Sequence, residues 1–197
     1  MDYTYGIYLY QGVASLDFVG PYEAFDLSRY LLSSGKIVTI AETSAPIVCS
    51  NGMQVIPDHT FDSAPALDIL LVPGANELEA ALSSPAAIDW IRSVADRVMF
   101  TTAVCTGSLI LQKAGLLHGK KATTHWMLVD ELAKDSNTTV LPDMRYVRDG
   151  NIITSQGVSA GIDMSLWLLG QLHSPDHARQ VRKLLQYDPA PPYLAEV

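Results

Sequence analysis

The sequence predicts a three-layer α/β/α sandwich around a mainly parallel central sheet, on three observations. Short runs rich in β-branched and aromatic residues alternate with longer segments of helical period, the pattern of parallel βαβ units. Two turn signals, Asn51-Gly52 and Asp149-Gly150, each lie between apolar runs and mark β-hairpins. One strand runs directly into a helix at Val104-Cys105-Thr106-Gly107, the local shape of a nucleophile elbow.

Element by element, residues 7–10 read as the first strand and residues 18–32 as a helix, with Pro21 in its first turn where a missing N–H costs little. Residues 36–41 form a second strand, and 47–49 with 53–56 the first hairpin. A buried strand over 67–72 stops at Pro73-Gly74-Ala75-Asn76, and 85–96 has the apolar spacing of a helix. Residues 98–102 form the next strand, followed through the Cys105 corner by a helix over 108–114 that Gly115 ends. A short strand over 121–124, a helix over 126–133, the second hairpin at 146–154 and two helices over 161–172 and 175–185 complete the chain. The tail, with Pro189, Pro191 and Pro192, is not expected to be helical. This is the flavodoxin-like order of elements. No repeat, low-complexity stretch or linker divides residues 1–197, so one domain is expected.

Composition narrows the function. With 48% hydrophobic and 17% charged residues the chain can bury a core, and long disorder is not expected. The net charge of -8, with no basic run, argues against a nucleic-acid surface built on counterion release. Met1-Asp2-Tyr3-Thr4-Tyr5 lacks the features of a secretory signal, and no apolar run approaches the ~20 residues needed to cross a bilayer. A soluble, cytoplasmic protein is expected. Cys49 and Cys105 are too few for a disulfide scaffold or a Cys-based zinc site, which leaves room for a working thiol.

Cys105 is the first candidate. At a strand-to-helix corner the side chain is pushed out at the carboxyl edge of the sheet, where the helix amides favour thiolate. A buried cysteine acting as a small hydrophobe fits the same position. Asp17, in Ala14-Ser15-Leu16-Asp17-Phe18, lies between the first strand and the first helix. It is either a helix cap or an acid/base group, because that loop opens on the edge where open α/β sheets place ligands. The amides of Gly74 and Ala75 end a third strand on the same edge, and serve either as an oxyanion hole or as an ordinary turn. His125 follows a further strand there and is the histidine placed to form a polar wall. His173 and His177 have i, i+4 spacing, but Pro175 between them breaks a shared helix face, so a metal site is not expected. His59 and His118 sit in polar loops, and Cys49 beside its turn reads as structural.

Five stretches taken together carry a family resemblance: Ala14-Ser15-Leu16-Asp17-Phe18-Val19-Gly20-Pro21-Tyr22-Glu23, Leu71-Val72-Pro73-Gly74-Ala75, Val104-Cys105-Thr106-Gly107, Ala122-Thr123-Thr124-His125-Trp126, and Ser155-Gln156-Gly157-Val158-Ser159-Ala160-Gly161-Ile162-Asp163. The sequence resembles the DJ-1/PfpI superfamily, which is class I glutamine amidotransferase-like. Within it the sequence is similar to the branch that holds isonitrile hydratase and the amidotransferase-like domains of AraC-type regulators. Protease-like members carry His directly after the nucleophilic Cys, where this chain has Thr106, so a Cys-His protease dyad is not expected. Many DJ-1-like members place Glu near the thiolate, where this chain offers Asp17.

The resemblance implies catalytic roles for Cys105, Asp17 and Thr106, with Gly74, Ala75 and His125 toward the substrate. The activity it implies is addition of water to an isonitrile to give an N-substituted formamide. Cys105 adds to the isonitrile carbon to form a thioimidate, Asp17 supplies the proton and later activates water, and no metal or organic cofactor is required. A homodimer acting on a small-molecule isonitrile, with no nucleic-acid or membrane partner, is the implied state. The alternative is a DJ-1-type stress protein that acts on reactive carbonyls or senses oxidation through the same Cys105. A regulator reading is not expected, since AraC-type relatives attach a DNA-binding region that this chain does not carry before Val197.

Overall fold

A computed structural model describes residues 2–188; the proline-containing tail lies outside the described residues. Seven strands form the central sheet: β1 (Thr4–Tyr8), β2 (Lys36–Ala41), β5 (His59–Thr60), β6 (Ile69–Val72), β7 (Phe100–Val104), β10 (Tyr146–Asp149) and β11 (Ile152–Ser155), with the remaining short strands β3 (Ile47–Val48), β4 (Gln54–Val55), β8 (Lys121–Ala122) and β9 (Thr139–Val140) outside it. The helices are α1 (Ser15–Leu32), α2 (Glu79–Leu82), α3 (Pro85–Ala95), α4 (Gly107–Lys113), α5 (Val129–Leu132), α6 (Ala160–Leu172) and α7 (Pro175–Leu184). The strand order is β10-β11-β7-β6-β1-β2-β5, and only the β10–β11 pair is antiparallel. The predicted three-layer, flavodoxin-like architecture is therefore the one observed.

Burial on both faces explains the strand sequences. Every residue of β6 is buried, as is every residue of β7 after Phe100, which is the near-continuous apolar run of a parallel strand covered on both sides. Helix α1 packs on α6 through two glycines. A Cβ on Gly20 would lie 2.8 Å from Ile162 Cγ1, and one on Gly161 would lie 3.0 Å from Val104 Cγ2. These contacts bring α6 down onto the end of β7, beside the elbow.

The chain leaves β1 toward β2 on one side, and later places β6 on the other side of β1. The loops after β1 and β6 diverge at that switch, which opens the crevice where such sheets bind ligands. The segments after β1, β6 and β7 meet there.

Several local expectations are corrected. Helix α1 starts at Ser15 rather than residue 18, so Pro21 lies inside the helix instead of in its first turn. The Pro21 ring packs closely on Gly161, where an added Cβ would lie 3.2 Å from Pro21 Cγ. The strand expected over 121–124 keeps only two residues because its partner is the short β9, which has no period of its own. The helix expected over 126–133 is divided into a 3₁₀ turn, Trp126–Leu128, and α5. His59 is not in a loop but in edge strand β5, held because the Asp58 carboxylate accepts from the Thr39 amide and hydroxyl, both at 2.8 Å. Both hairpins form, with Gly52 at φ 85 and Gly150 at φ 66, where glycine avoids the Cβ penalty. Among the described residues no helix is long and apolar enough to cross a membrane.

Candidate active site

Cys105 follows β7 with φ 60, a left-handed conformation that a residue with a Cβ adopts at a cost of ~1–2 kcal/mol. The surroundings impose it. The Cys105 amide is shared between the carbonyl oxygens of Ser155 and Gln156, both at 3.2 Å, and the hydroxyls of Ser108 and Thr124 converge on its own carbonyl oxygen at 3.1 Å each. Two residues on, Gly107 is required by close approach: a Cβ there would lie 2.2 Å from the Val72 carbonyl oxygen. The elbow read from the sequence is present in the backbone.

Asp17 lies in the first turn of α1 but does not cap it. Its side chain crosses to the β6 loop, where Oδ2 accepts the Gly74 amide at 3.1 Å. Oδ1 is buried without a full hydrogen bond, and the other groups acting on the carboxyl are the Cys105 thiol and the Val158 amide. The cap reading is overturned, since the carboxylate is fully buried beside the thiol.

Burial decides the protonation of this pair. Loss of solvent pushes the Asp17 carboxyl up to about 6, against the pull of the Gly74 amide, the Cys105 thiol and the Val158 amide. Burial first, and then the Asp17 charge, push the Cys105 thiol up to about 12; the Thr106 and Val158 amides only partly offset this. Burial and the Asp17 charge therefore oppose the helix field that favours thiolate at this corner.

The amides of Gly74 and Ala75 also receive a correction. Gly74 N–H is committed to Asp17, and Ala75 N–H donates to Thr106 Oγ1 at 2.9 Å while that hydroxyl donates back to the Ala75 carbonyl at 2.8 Å. Neither amide is a free oxyanion donor. Both instead fix the two side chains flanking the sulfur, and the donors aimed at sulfur are the amides of Thr106 and Val158. Sequence reasoning missed Val158, whose φ of 55 is the available signal in the structure, because nothing in a valine's identity announces a left-handed backbone.

Gly74 must be glycine for the same reason as Gly107: a Cβ would lie 2.5 Å from Thr106 Oγ1 and 3.0 Å from Asp17 Oδ2. Gly74→Ala is expected to lower stability by about 1–3 kcal/mol, since the added Cβ also lies 2.6 Å from the Thr106 backbone nitrogen and is relieved only by shifting backbone as well as both side chains. Chemical denaturation checks it. A midpoint equal to that of the parent would show that the loop relaxes freely.

His125 stands at the flank rather than on the sulfur. Its Nδ1 accepts the Met127 amide at 3.3 Å, its ring lies against Trp126, and a Cβ on Gly157 would lie 2.2 Å from His125 Cδ2. A cavity of about 220 Å³ lined by His125, Trp126, Arg145, Gln156 and Gly157 borders the turn that carries Val158. Tyr10, also missed, donates to the Pro73 carbonyl at 3.1 Å, and burial raises its phenol well above its ordinary value beside Asp17 and Cys105. A wider cleft of about 1030 Å³, near Tyr146, Trp167 and Arg182, shares Arg145 with that cavity but is lined by none of Asp17, Cys105 and Thr106. His177 is engaged with Ser28 Oγ at 2.7 Å, and His173 packs edge-on to Tyr3 and to His177. Cys49 is buried in its hairpin, as expected.

The fold and this corner define a flavodoxin-like α/β protein with a cysteine at a strand-to-helix elbow beside a buried carboxylate. A family profile described as DJ-1/PfpI matches residues 6–171, and the chain belongs to that family. It is 39% identical over 188 residues to the isonitrile hydratase of Pseudomonas putida, covering 95% of this chain and 80% of that protein. It is 30% identical over 182 residues to the HTH-type transcriptional regulator CdhR of Pseudomonas aeruginosa, covering 92% of this chain but 54% of that protein. Among solved structures, a ThiJ/PfpI family protein from Pseudomonas syringae superposes with a TM-score of 0.89 at 34% identity, covering all of this chain and 80% of that one.

Proposed function

We propose that this protein is an isonitrile hydratase, a hydro-lyase that acts as one domain over residues 1–197, in a cytoplasmic homodimer, on a small-molecule isonitrile. The observation that carries the reading is the buried Asp17–Cys105 pair, which holds a carboxylate against a thiol with no histidine between them. The resemblance to the P. putida isonitrile hydratase supports a related activity.

The chemistry follows from where the proton sits. Asp17 takes the thiol proton and delivers it to the isonitrile carbon while sulfur bonds to that carbon, giving a thioimidate in which carbon carries one hydrogen. Asp17, again a carboxylate, then removes a proton from water as its oxygen adds to the same carbon, and that proton passes to nitrogen. Collapse breaks the C–S bond, returns a proton to sulfur and releases the formamide. Asp17 carries the thiol proton to carbon and the water proton to nitrogen, and the remaining hydroxyl proton returns to sulfur on collapse, so every transfer takes place within reach of one carboxylate. The Thr106 and Val158 amides face the charge on sulfur.

The testing experiment is incubation with a simple alkyl isonitrile, following formamide by mass. Formamide formation supports the reading; consumption of methylglyoxal with no formamide would replace it with the reactive-carbonyl alternative. If the active form is the thiol with an ionised carboxylate, kcat/KM is expected to rise as pH passes through about 6, where Asp17 loses its proton, and to stay level well above neutrality. A falling limb between pH 6 and 8 would contradict it. Thr106→Ala is expected to lower kcat by about tenfold, because its hydroxyl positions the Ala75 loop without forming or breaking a bond of the substrate.

A further inference from the structure

Two buried hydroxyls that the reaction scheme does not use meet behind the elbow. Ser108 Oγ and Thr124 Oγ1 are 2.7 Å apart, each lies 3.1 Å from the Cys105 carbonyl oxygen, and both residues are fully buried. They arrive from different elements, Ser108 from the first turn of α4 and Thr124 from the segment after β8. A local turn alone needs no second hydroxyl from 16 residues away.

The peptide between Cys105 and Thr106 is planar, and in a trans peptide the C=O and N–H point in opposite directions. Anchoring the carbonyl on one side therefore aims the Thr106 N–H on the other, and that amide is a donor toward the Cys105 sulfur. The φ of 60 at Cys105 is held from both sides, at its amide by the Ser155 and Gln156 carbonyls and at its carbonyl by these two hydroxyls. We propose that Ser108 and Thr124 are positioning residues for the reaction, a hydroxyl clamp that holds the Cys105–Thr106 peptide so that its N–H faces the reacting sulfur. The catalytic part of this inference rests on the reading given under the proposed function; the aim of the peptide does not.

The two hydroxyls act redundantly on one oxygen, so either alone retains part of the effect. Ser108→Ala and Thr124→Val are each expected to lower kcat about tenfold, and the double variant about a hundredfold, the scale of losing one preorganised donor, with KM changed less than about twofold. Ser108→Thr and Thr124→Ser, which keep the hydroxyl, are expected to retain most of the activity. A substrate-independent readout is the alkylation rate at pH 9, resolved by peptide mapping into Cys105 and Cys49. Loss of the amide donor disfavours thiolate, so Cys105 labelling is expected to slow by about tenfold in the double variant while Cys49 is unchanged.

Faster labelling of both cysteines would show that the hydroxyls only hold the fold together, and would overturn the inference. Parental kcat and parental Cys105 labelling in the double variant would overturn it as well. Slowed Cys105 labelling in a protein that makes no formamide would support the clamp while removing the proposed reaction.

Discussion

Cys105→Ala is expected to abolish formamide production from an alkyl isonitrile, with a loss exceeding about 10⁴-fold, because no other group near Asp17 can form the bond to carbon. Cys49, the other thiol, is buried in the β3–β4 hairpin and does not replace it. The fold should survive, since removing one sulfur from a buried corner costs on the order of 1 kcal/mol and relieves the carboxylate of a neighbour that competes for its proton. The measurement is single-turnover formamide yield at enzyme concentrations high enough to detect one part in ten thousand, alongside an unfolding curve. Residual turnover above about 1% with an intact fold would show that Asp17 and water suffice, and the covalent route would be withdrawn.

Asp17→Asn is expected to cost about 10²–10⁴-fold in turnover and, at the same time, to stabilise the protein above neutral pH. The sign comes from the direction of the shift. The carboxyl is held at about 6 in the fold against 3.8 when unfolded, so the native state binds the proton more tightly. That contribution is fully present below pH 3.8 and is lost as pH rises through about 6, leaving an ionised carboxylate in a dry site. At pH 8 the penalty is about 3 kcal/mol at most, from ~1.4 kcal/mol per pH unit. Asparagine escapes it, although its amide N–H meets the Val158 N–H as donor against donor, so a net gain of about 1–2 kcal/mol is expected. Urea midpoints at pH 8 and pH 4.5 check this. The gain should shrink toward pH 4.5, and an equal gain at both values would mean that carboxylate ionisation is not its source.

Much of this site was legible in the sequence, for physical reasons that differ from residue to residue. The elbow at Cys105 shows because a β-branched strand, a cysteine and, two residues on, a close-packed glycine fall within one short stretch, so local constraints write it in one line of residues. Asp17 showed its location but not its partner, because whether an acidic residue caps its own helix depends on a β6 loop 57 residues away. The Gly74 and Ala75 amides were misjudged for the same reason: an amide is free or committed according to which distant side chain reaches it. Strands β5 and β9 have two residues each, too short for any periodicity to develop. The left-handed backbone at Val158 runs against the preference of a β-branched residue, so nothing in the sequence signals it.

The assembly of the Cys105 corner from segments far apart in the chain has a consequence for biosynthesis. Asp17, Gly74 and Val158 close around the sulfur only when β1, β6, β7 and β11 have paired, so the pocket is completed late and the long-range pairings set its pace. Until then Cys105 lacks both its burial and its Asp17 neighbour; folding supplies both, and both push its pKa upward. The nascent chain is thus most open to oxidation and adduct formation before it is native, and completion of the sheet is itself the event that shields the sulfur.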